Sequence, residues 1–219
     1  MANEVTPTSG YHERIHREKR SALLRAATAL FLERGYDGTS LGKVAEAASV
    51  STATLFKRFP TKAALFDAIV SEHWAWGEQP MGMPEPGDPQ DGLRTIGRRY
   101  VDLLTQPEMV ALFRIVIAEA PRFPELSERH FALGKLPFYN AVRDYLEAEV
   151  AAGTLRIDDT ELATTHFLGM IATFCFWPRM LLVGYDPGRR AMHDEVDEAV
   201  RTLFARYSAA RQDGSATDL

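Results

Sequence analysis

The sequence predicts an all-α protein, with a small helical domain at its N-terminus and a larger helical domain after it. Three observations predict this. Apolar residues recur at spacings of three and four, as amphipathic helices require, and no strand-like alternation stands out. Helix-starting Ser, Thr and Asp and helix-ending Gly and Pro bracket the periodic segments. The stretch Gly77–Gln90 holds four prolines and three glycines, so it cannot be helix or strand throughout and separates the two parts.

Taken in order, residues 1–12 are polar, include Pro7, Ser9 and Gly10, and read as a flexible arm. A first helix follows from Glu13 to Arg34, with Leu23, Leu24, Ala27, Leu30 and Phe31 on one face and Gly35 as its stop. A second runs from about Ser40 to Ala48, capped by Thr39 or Ser40. A third, from about Ser51 to Phe59, ends at Pro60; Leu55 and Phe59 can dock it on a core, while Thr52, Ala53, Phe56 and Lys57 face away. Thr61 caps a fourth helix running through Leu65, Phe66, Ile69 and Val70 towards Trp76.

Two short helices joined by about three residues, the second small and basic at its start, have helix-turn-helix spacing. An ordinary αα-corner has the same spacing. After the junction at 77–90, the body (91–212) reads as helices at about 91–105, 107–120, 124–152, 162–178 and 189–211, nine in all, with Pro137 kinking or splitting the third. Residues 213–219 are a tail.

Composition narrows the function. Hydrophobic residues are 46% and charged residues 25% of 219, which is globular usage. The net charge of −5 argues against nucleic acid until its distribution is considered. Residues 1–62 hold ten Lys/Arg against six Asp/Glu, a net of +4; the remainder hold fifteen against twenty-four, a net of −9. A basic head on an acidic body suits a chain that meets DNA with one end. Cys175 is the single cysteine, so no intrachain disulfide forms; with no apolar h-region at the N-terminus, a cytoplasmic location is expected.

Residues 162–178 carry no Asp, Glu, Lys or Arg, yet the run is too short and too interrupted by Thr and His to span a membrane. A helix apolar nearly all round must be covered on more than one side. Its own core covers one, and a second copy of the chain can cover the other. This expectation places Phe167, Ile171 and Phe174, with Val196, Val200, Leu203, Phe204 and Tyr207 of the last helix, in a homodimer interface.

Catalytic signatures are missing: the sequence has no Gly-rich phosphate loop, no CxxC, no GxSxG, and no acid/base pair. His12-Glu-Arg-Ile-His16 matches the zinc-protease HExxH letters, but Arg14, Arg17, Lys19 and Arg20 crowd it and would repel a cation. No catalytic residue, metal or cofactor is expected.

Three segments carry a resemblance: Gly35-Tyr-Asp-Gly-Thr-Ser-Leu41, Val44-Ala-Glu-Ala-Ala-Ser-Val-Ser51 and Leu55-Phe-Lys-Arg-Phe-Pro-Thr-Lys-Ala-Ala-Leu65. Together they resemble the DNA-binding domain of TetR-type transcriptional regulators, over roughly residues 16 to 75. A second, weaker resemblance, to the ligand-binding half of some members, covers Leu112 to Leu126. Two departures stand out: Ser49 lies where the family usually has a turn Gly, and Phe56 where it usually has Tyr.

The resemblance implies that Thr52, Ala53, Thr54, Phe56 and Lys57 face the major groove. Thr39, Ser40, Lys43, Ser51, Arg58 and Lys62 then set the head on phosphates, helped by Arg17 and Arg20. It also implies a cavity in the body, for which Phe113, Arg114, Phe138, His166, Phe167, Met170, Phe174 and Trp177 are the candidate lining. The expected partners are double-stranded, pseudo-palindromic operator DNA, an apolar small-molecule effector and a second copy of the chain, with no membrane. The expected function is a repressor released from its operator by the effector and nucleoid-associated when bound. An architectural DNA-binding protein without effector, or an all-α enzyme, are the alternatives.

Overall fold

The computed structural model describes residues 7–74 and 82–209, with the side chains of all of these except 7–13 and 16. The expected arm as far as residue 6, Trp76, the start of the junction and the tail lie outside the described residues. Eleven α-helices and one π-helical segment are found among those described. No strand occurs among them; Leu155 and Ser208 form an isolated antiparallel bridge. No described helix is long and apolar enough to cross a membrane. The chain divides into two compact units that do not follow chain order: Met1–Glu72 with Ala111–Leu133, and His73–Val110 with Gly134–Leu219.

The first unit is built on α1 (Pro7–Arg34), which begins within the stretch expected to be an arm. Leu23, Leu24, Ala27 and Phe31 are its buried stripe. Gly35 ends it at φ +74°, a conformation that costs glycine nothing. The helices α2 (Leu41–Ala47) and α3 (Thr52–Arg58) have seven residues each and pack on one another. Phe66, Ile69 and Leu65 of α4 (Lys62–Trp74) complete the core with Leu55 and Val44. Tyr36 sits among three rings, Phe31, Phe66 and Phe123, with centroids 5.2, 6.1 and 5.3 Å away. Phe123 comes from the turn between α6 (Pro107–Glu119) and α7 (Pro124–His130).

The expected helix over 124–152 is broken into α7, a π-helical segment (Phe131–Lys135) and α8 (Leu136–Ala151). Pro137 has no N–H to offer the carbonyl of Leu133, and its ring crowds that turn. The backbone ahead of it widens to π spacing and restarts as α8.

In the second unit, α9 (Thr160–Cys175) is central and packs against α5 (Pro89–Leu104), α8, α10 (Trp177–Leu181) and α11 (Arg189–Tyr207). Asp88 and Asp159 cap α5 and α9 through the backbone N–H of Asp91 and Leu162. Two devices hold this packing. Gly97 of α5 lets the helices approach closely: a Cβ there would lie 2.6 Å from Val196 Cγ1 and 3.2 Å from Ile171 Cδ1. Glu149 is 0% exposed, and its carboxylate accepts from Tyr145 Oη (2.5 Å), Thr154 Oγ1 (2.5 Å) and Gly87 N (3.0 Å). These three donors replace the water that the buried carboxylate has lost. Burial, then the bond to Glu149, raises the Tyr145 pKa, so its hydroxyl stays a donor. Cys175 is buried, and burial pushes its thiol up to about 11, which leaves it unreactive at neutral pH.

Gly97→Ala should therefore destabilise the protein by about 1–3 kcal/mol, the usual cost of overpacking a closed contact. Urea denaturation followed by circular dichroism reads this as a lower midpoint; an unchanged midpoint would show that α5 can move away without loss.

Candidate nucleic-acid interface

The geometry of α2 and α3 is set by their ends. Ser40 Oγ accepts from Lys43 N (3.3 Å) and caps α2; Ser51 Oγ accepts from Thr54 N (3.2 Å) and caps α3. Between them, Ser49 takes φ +54°, the one positive-φ non-glycine residue among those described. Ser49 N donates to Glu46 O (3.0 Å) and Val50 N to Ala45 O (2.9 Å), the paired closure of a Schellman turn. Serine reaches that conformation against steric resistance from its Cβ, which is the strain the departure from glycine implies.

Leu55 and Phe59 are buried, so α3 has a fixed inward face. Thr52, Ala53 and Lys57 are exposed on the opposite side, and Phe56 is 47% exposed beside them. Thr54 is half-buried, with Oγ1 2.7 Å from Ser51 Oγ. Ser40, Lys43 and Ser51 lie at the surface, and Lys43 Nζ donates to Gly38 O (3.3 Å). Arg17 is exposed and Arg58 half-buried. Arg20 is ion-paired with Glu72.

Two residues expected on phosphates are turned inward. Thr39 is 1% exposed; its hydroxyl lies 3.0 and 2.9 Å from the carbonyls of Leu30 and Gly35, where it closes the end of α1. Lys62 directs its ammonium at the carbonyls of Tyr36 (2.5 Å), Thr39 (3.1 Å) and Asp37 (3.4 Å). The resemblance implies phosphate contacts for both, with Lys62 at the first turn of α4, where free amides attract phosphate. The turn Gly35–Thr39 instead turns its carbonyls towards them. The residues that grip this turn, Tyr36, Glu119 and Arg122, were not singled out; they are far apart in sequence and no local pattern links them.

The body residues expected to line a cavity are divided between the two units. Phe113 and Arg114 belong to the first unit, where Phe113 meets the His130 ring edge-on at 4.5 Å. Phe138, stacked on Tyr100 at 5.0 Å, and Phe167 are core of the second unit. Phe174 is half-buried and Trp177 exposed. His166 and Met170 lie in an open groove of about 570 Å³ between α9 and α11, which also takes in Gly169, Leu203, Arg206 and Tyr207. Of the residues expected at a dimer interface, Phe167, Ile171, Val196, Val200 and Leu203 are buried within the single chain, while Phe174, Phe204 and Tyr207 are half-buried. The side chains of His12 and His16 lie outside the described residues.

A capped, tightly turned helix pair with one apolar face buried and the other outward has the geometry of a helix-turn-helix. Residues 23–69 match the model of bacterial regulatory proteins of the tetR family, and residues 91–209 match the AefR-like transcriptional repressor C-terminal domain. The chain belongs to the TetR family of transcriptional regulators, which are not enzymes. It is 27% identical over 199 residues to the uncharacterised HTH-type transcriptional regulator YdeS of Bacillus subtilis, covering 90% of this chain and 91% of YdeS. Its fold is similar to that of the flavonoid-responsive regulator FrrA, with TM-score 0.69 and 28% identity over 88% of this chain and 98% of FrrA. A TetR-family chain from Mesorhizobium loti matches with TM-score 0.67 and 25% identity over 87% of this chain and 96% of that one.

The turn and the exposed ring each make a prediction. Ser49→Gly removes the Cβ clash but frees the unfolded chain, so the net gain should be about 0.5–1 kcal/mol. It should appear as a higher urea midpoint with an unchanged slope. Phe56→Tyr should tighten DNA binding by about 0.5–1.5 kcal/mol, the net value of one new hydrogen bond to a phosphate, at little cost in stability. Fluorescence anisotropy with a duplex that the wild-type protein selects from a random pool measures it; unchanged affinity would mean that the ring edge does not face the backbone.

Proposed function

We propose that this regulator is a homodimeric repressor whose α3 reads a pseudo-palindromic operator and which an apolar small molecule releases. The observation that carries the reading is the outward face of α3, where Thr52, Ala53, Phe56 and Lys57 stand clear of a core that fixes Leu55. Thr54, half-buried at the Ser51 cap, borders that face. Ser40, Lys43, Ser51 and Arg58, with Arg17 and Arg20, supply the phosphate contacts. Neither Asn, Gln nor Arg stands on the exposed face, so thymine methyl contacts and DNA shape provide much of the specificity. A two-fold dimer presents two such helices to two half-sites. The open groove between α9 and α11 supports association there, and the match of 91–209 to a repressor domain supports repression.

The flavonoid response named for FrrA supports an aromatic, largely apolar effector. Such a ligand is held mainly by buried apolar area, at roughly 25 cal/mol per Å². Bound in the body, it displaces α4 and changes the spacing of the two heads. A ~100-fold change in DNA affinity needs about 2.7 kcal/mol of preference for the released state. The protein acts in the cytoplasm, on the nucleoid while bound.

Reciprocity makes this testable. An aromatic compound that releases the selected duplex should bind ~100-fold more weakly by calorimetry when that duplex is saturating. Equal affinities with and without DNA would leave an architectural DNA-binding protein without effector control.

A further inference from the structure

The turn Gly35–Thr39, which leads directly into α2, is gripped from two sides by residues distant in sequence. On one side, Glu119 Oε1 accepts from Tyr36 N at 3.1 Å, while its Oε2 is buried without a hydrogen-bond partner. Gly35 makes room for this carboxylate, since a Cβ there would lie 2.6 Å from Oε1. Arg122 reinforces the grip: its guanidinium donates to Asp37 at 3.1 Å and lies 5.4 Å from the centre of the Phe123 ring, which itself packs on Tyr36.

On the other side stands Lys62, its ammonium 4.4 Å from the centre of the Tyr36 ring. An ammonium has three protons. Here the carbonyls of Tyr36, Thr39 and Asp37 lie 2.5, 3.1 and 3.4 Å from it, so a DNA phosphate would have to compete with them for the ammonium. The turn thus has Tyr36 N bound on one side and three carbonyls on the other. Because α2 has seven residues and packs directly on α3, any tilt of this turn tilts the pair.

We infer that Lys62 and Glu119 are positioning residues for DNA binding, which clamp the Gly35–Thr39 turn between them and so fix the angle at which α2 and α3 meet the duplex. The inference rests on α3 being the helix that reads DNA. Without the clamp the turn samples other angles and only a fraction of heads is competent, and the apparent affinity falls by that fraction.

The test uses the full-length protein and a duplex that the wild type selects from a random-sequence pool. Lys62→Met and Glu119→Ala should each weaken binding about tenfold, as when a tenth of the heads stay competent. The slope of log affinity against log salt should not change, and Glu119→Gln, which keeps an acceptor for Tyr36 N, should recover most of the loss. Amide exchange should accelerate in residues 35–39 while α4 and the body stay protected. A slope shallower by about 0.9 in Lys62→Met would make Lys62 a phosphate contact and overturn the inference. So would undiminished affinity in either variant. If Glu119→Ala does not fold, the salt series on Lys62→Met decides alone. The reading helix is checked separately: Lys57→Ala should change which sequences are preferred, and an unchanged preference would remove α3 as the reader and with it the role given to the clamp. A changed preference with undiminished affinity in Lys62→Met or Glu119→Ala would overturn the clamp alone.

Discussion

A helix of seven residues does not hold itself together in water, because nucleation costs more than so few hydrogen bonds return. Both α2 and α3 have that length. Whatever presents them to DNA must come from outside them, and most of the first unit is that support. Leu55, Val44 and Ala45 anchor them in the core, Ser40 and Ser51 cap them, and the paired bonds at Ser49 and Val50 close the turn between. The longer helix α1 supplies the wall against which α2 rests. Holding the inward face so firmly leaves the outward face unconstrained, which is the condition under which a half-exposed Phe56 persists.

The same support explains where the head's positive charge goes. The net of +4 over residues 1–62 is a formal count, and several of its cations are engaged internally. Arg20 faces Glu72, Lys43 leans on the Gly38 carbonyl, and Lys62 holds the turn before α2. The field of these charges still reaches outward and favours an anionic partner. Part of their direct hydrogen-bonding capacity is spent on shape. A count of charges in a sequence therefore does not say which lysine is already engaged within the fold.

Local patterns made much of this fold legible. Periodicity located the helices, the cap of α2 was narrowed to Thr39 or Ser40, and Gly35 was recognisable as a stop and Leu55 and Phe59 as the docking face. Pro137 marked a break, though it could not reveal that the break takes the form of a π-helical segment. Contacts over long separation were not legible. Tyr36 and Glu119 are 83 residues apart, and the segment holding Glu119 carried a resemblance to the ligand-binding half, yet it packs with the head. Nothing in a helical period states which distant turn a carboxylate will meet. The inward turn of Thr39 and Lys62 was not legible for the same reason: their acceptors are backbone carbonyls, which every residue has and no sequence displays.

In the body, the difficulty is of another kind. Hydrophobicity says that a side chain avoids water, but not whether its cover is the chain's own core, a ligand or another copy. Phe167 was a candidate for both a cavity and an interface, and it is 0% exposed in the single chain, covered by its own helices. The same holds for Ile171 and Val196. What α9 leaves open is a different stripe: Leu162, Thr165, His166, Gly169 and Thr173, at spacings of three and four. Gly169 has open space where a Cβ would be, which lets a second helix backbone come close. If two copies associate through α9 and α11, the surface they share is this stripe of small and mildly polar groups, and the large aromatic residues serve beneath it as its rigid floor. An interface sought among the most apolar residues falls on that floor, because hydrophobicity alone does not separate a side chain covered by its own chain from one covered by a partner.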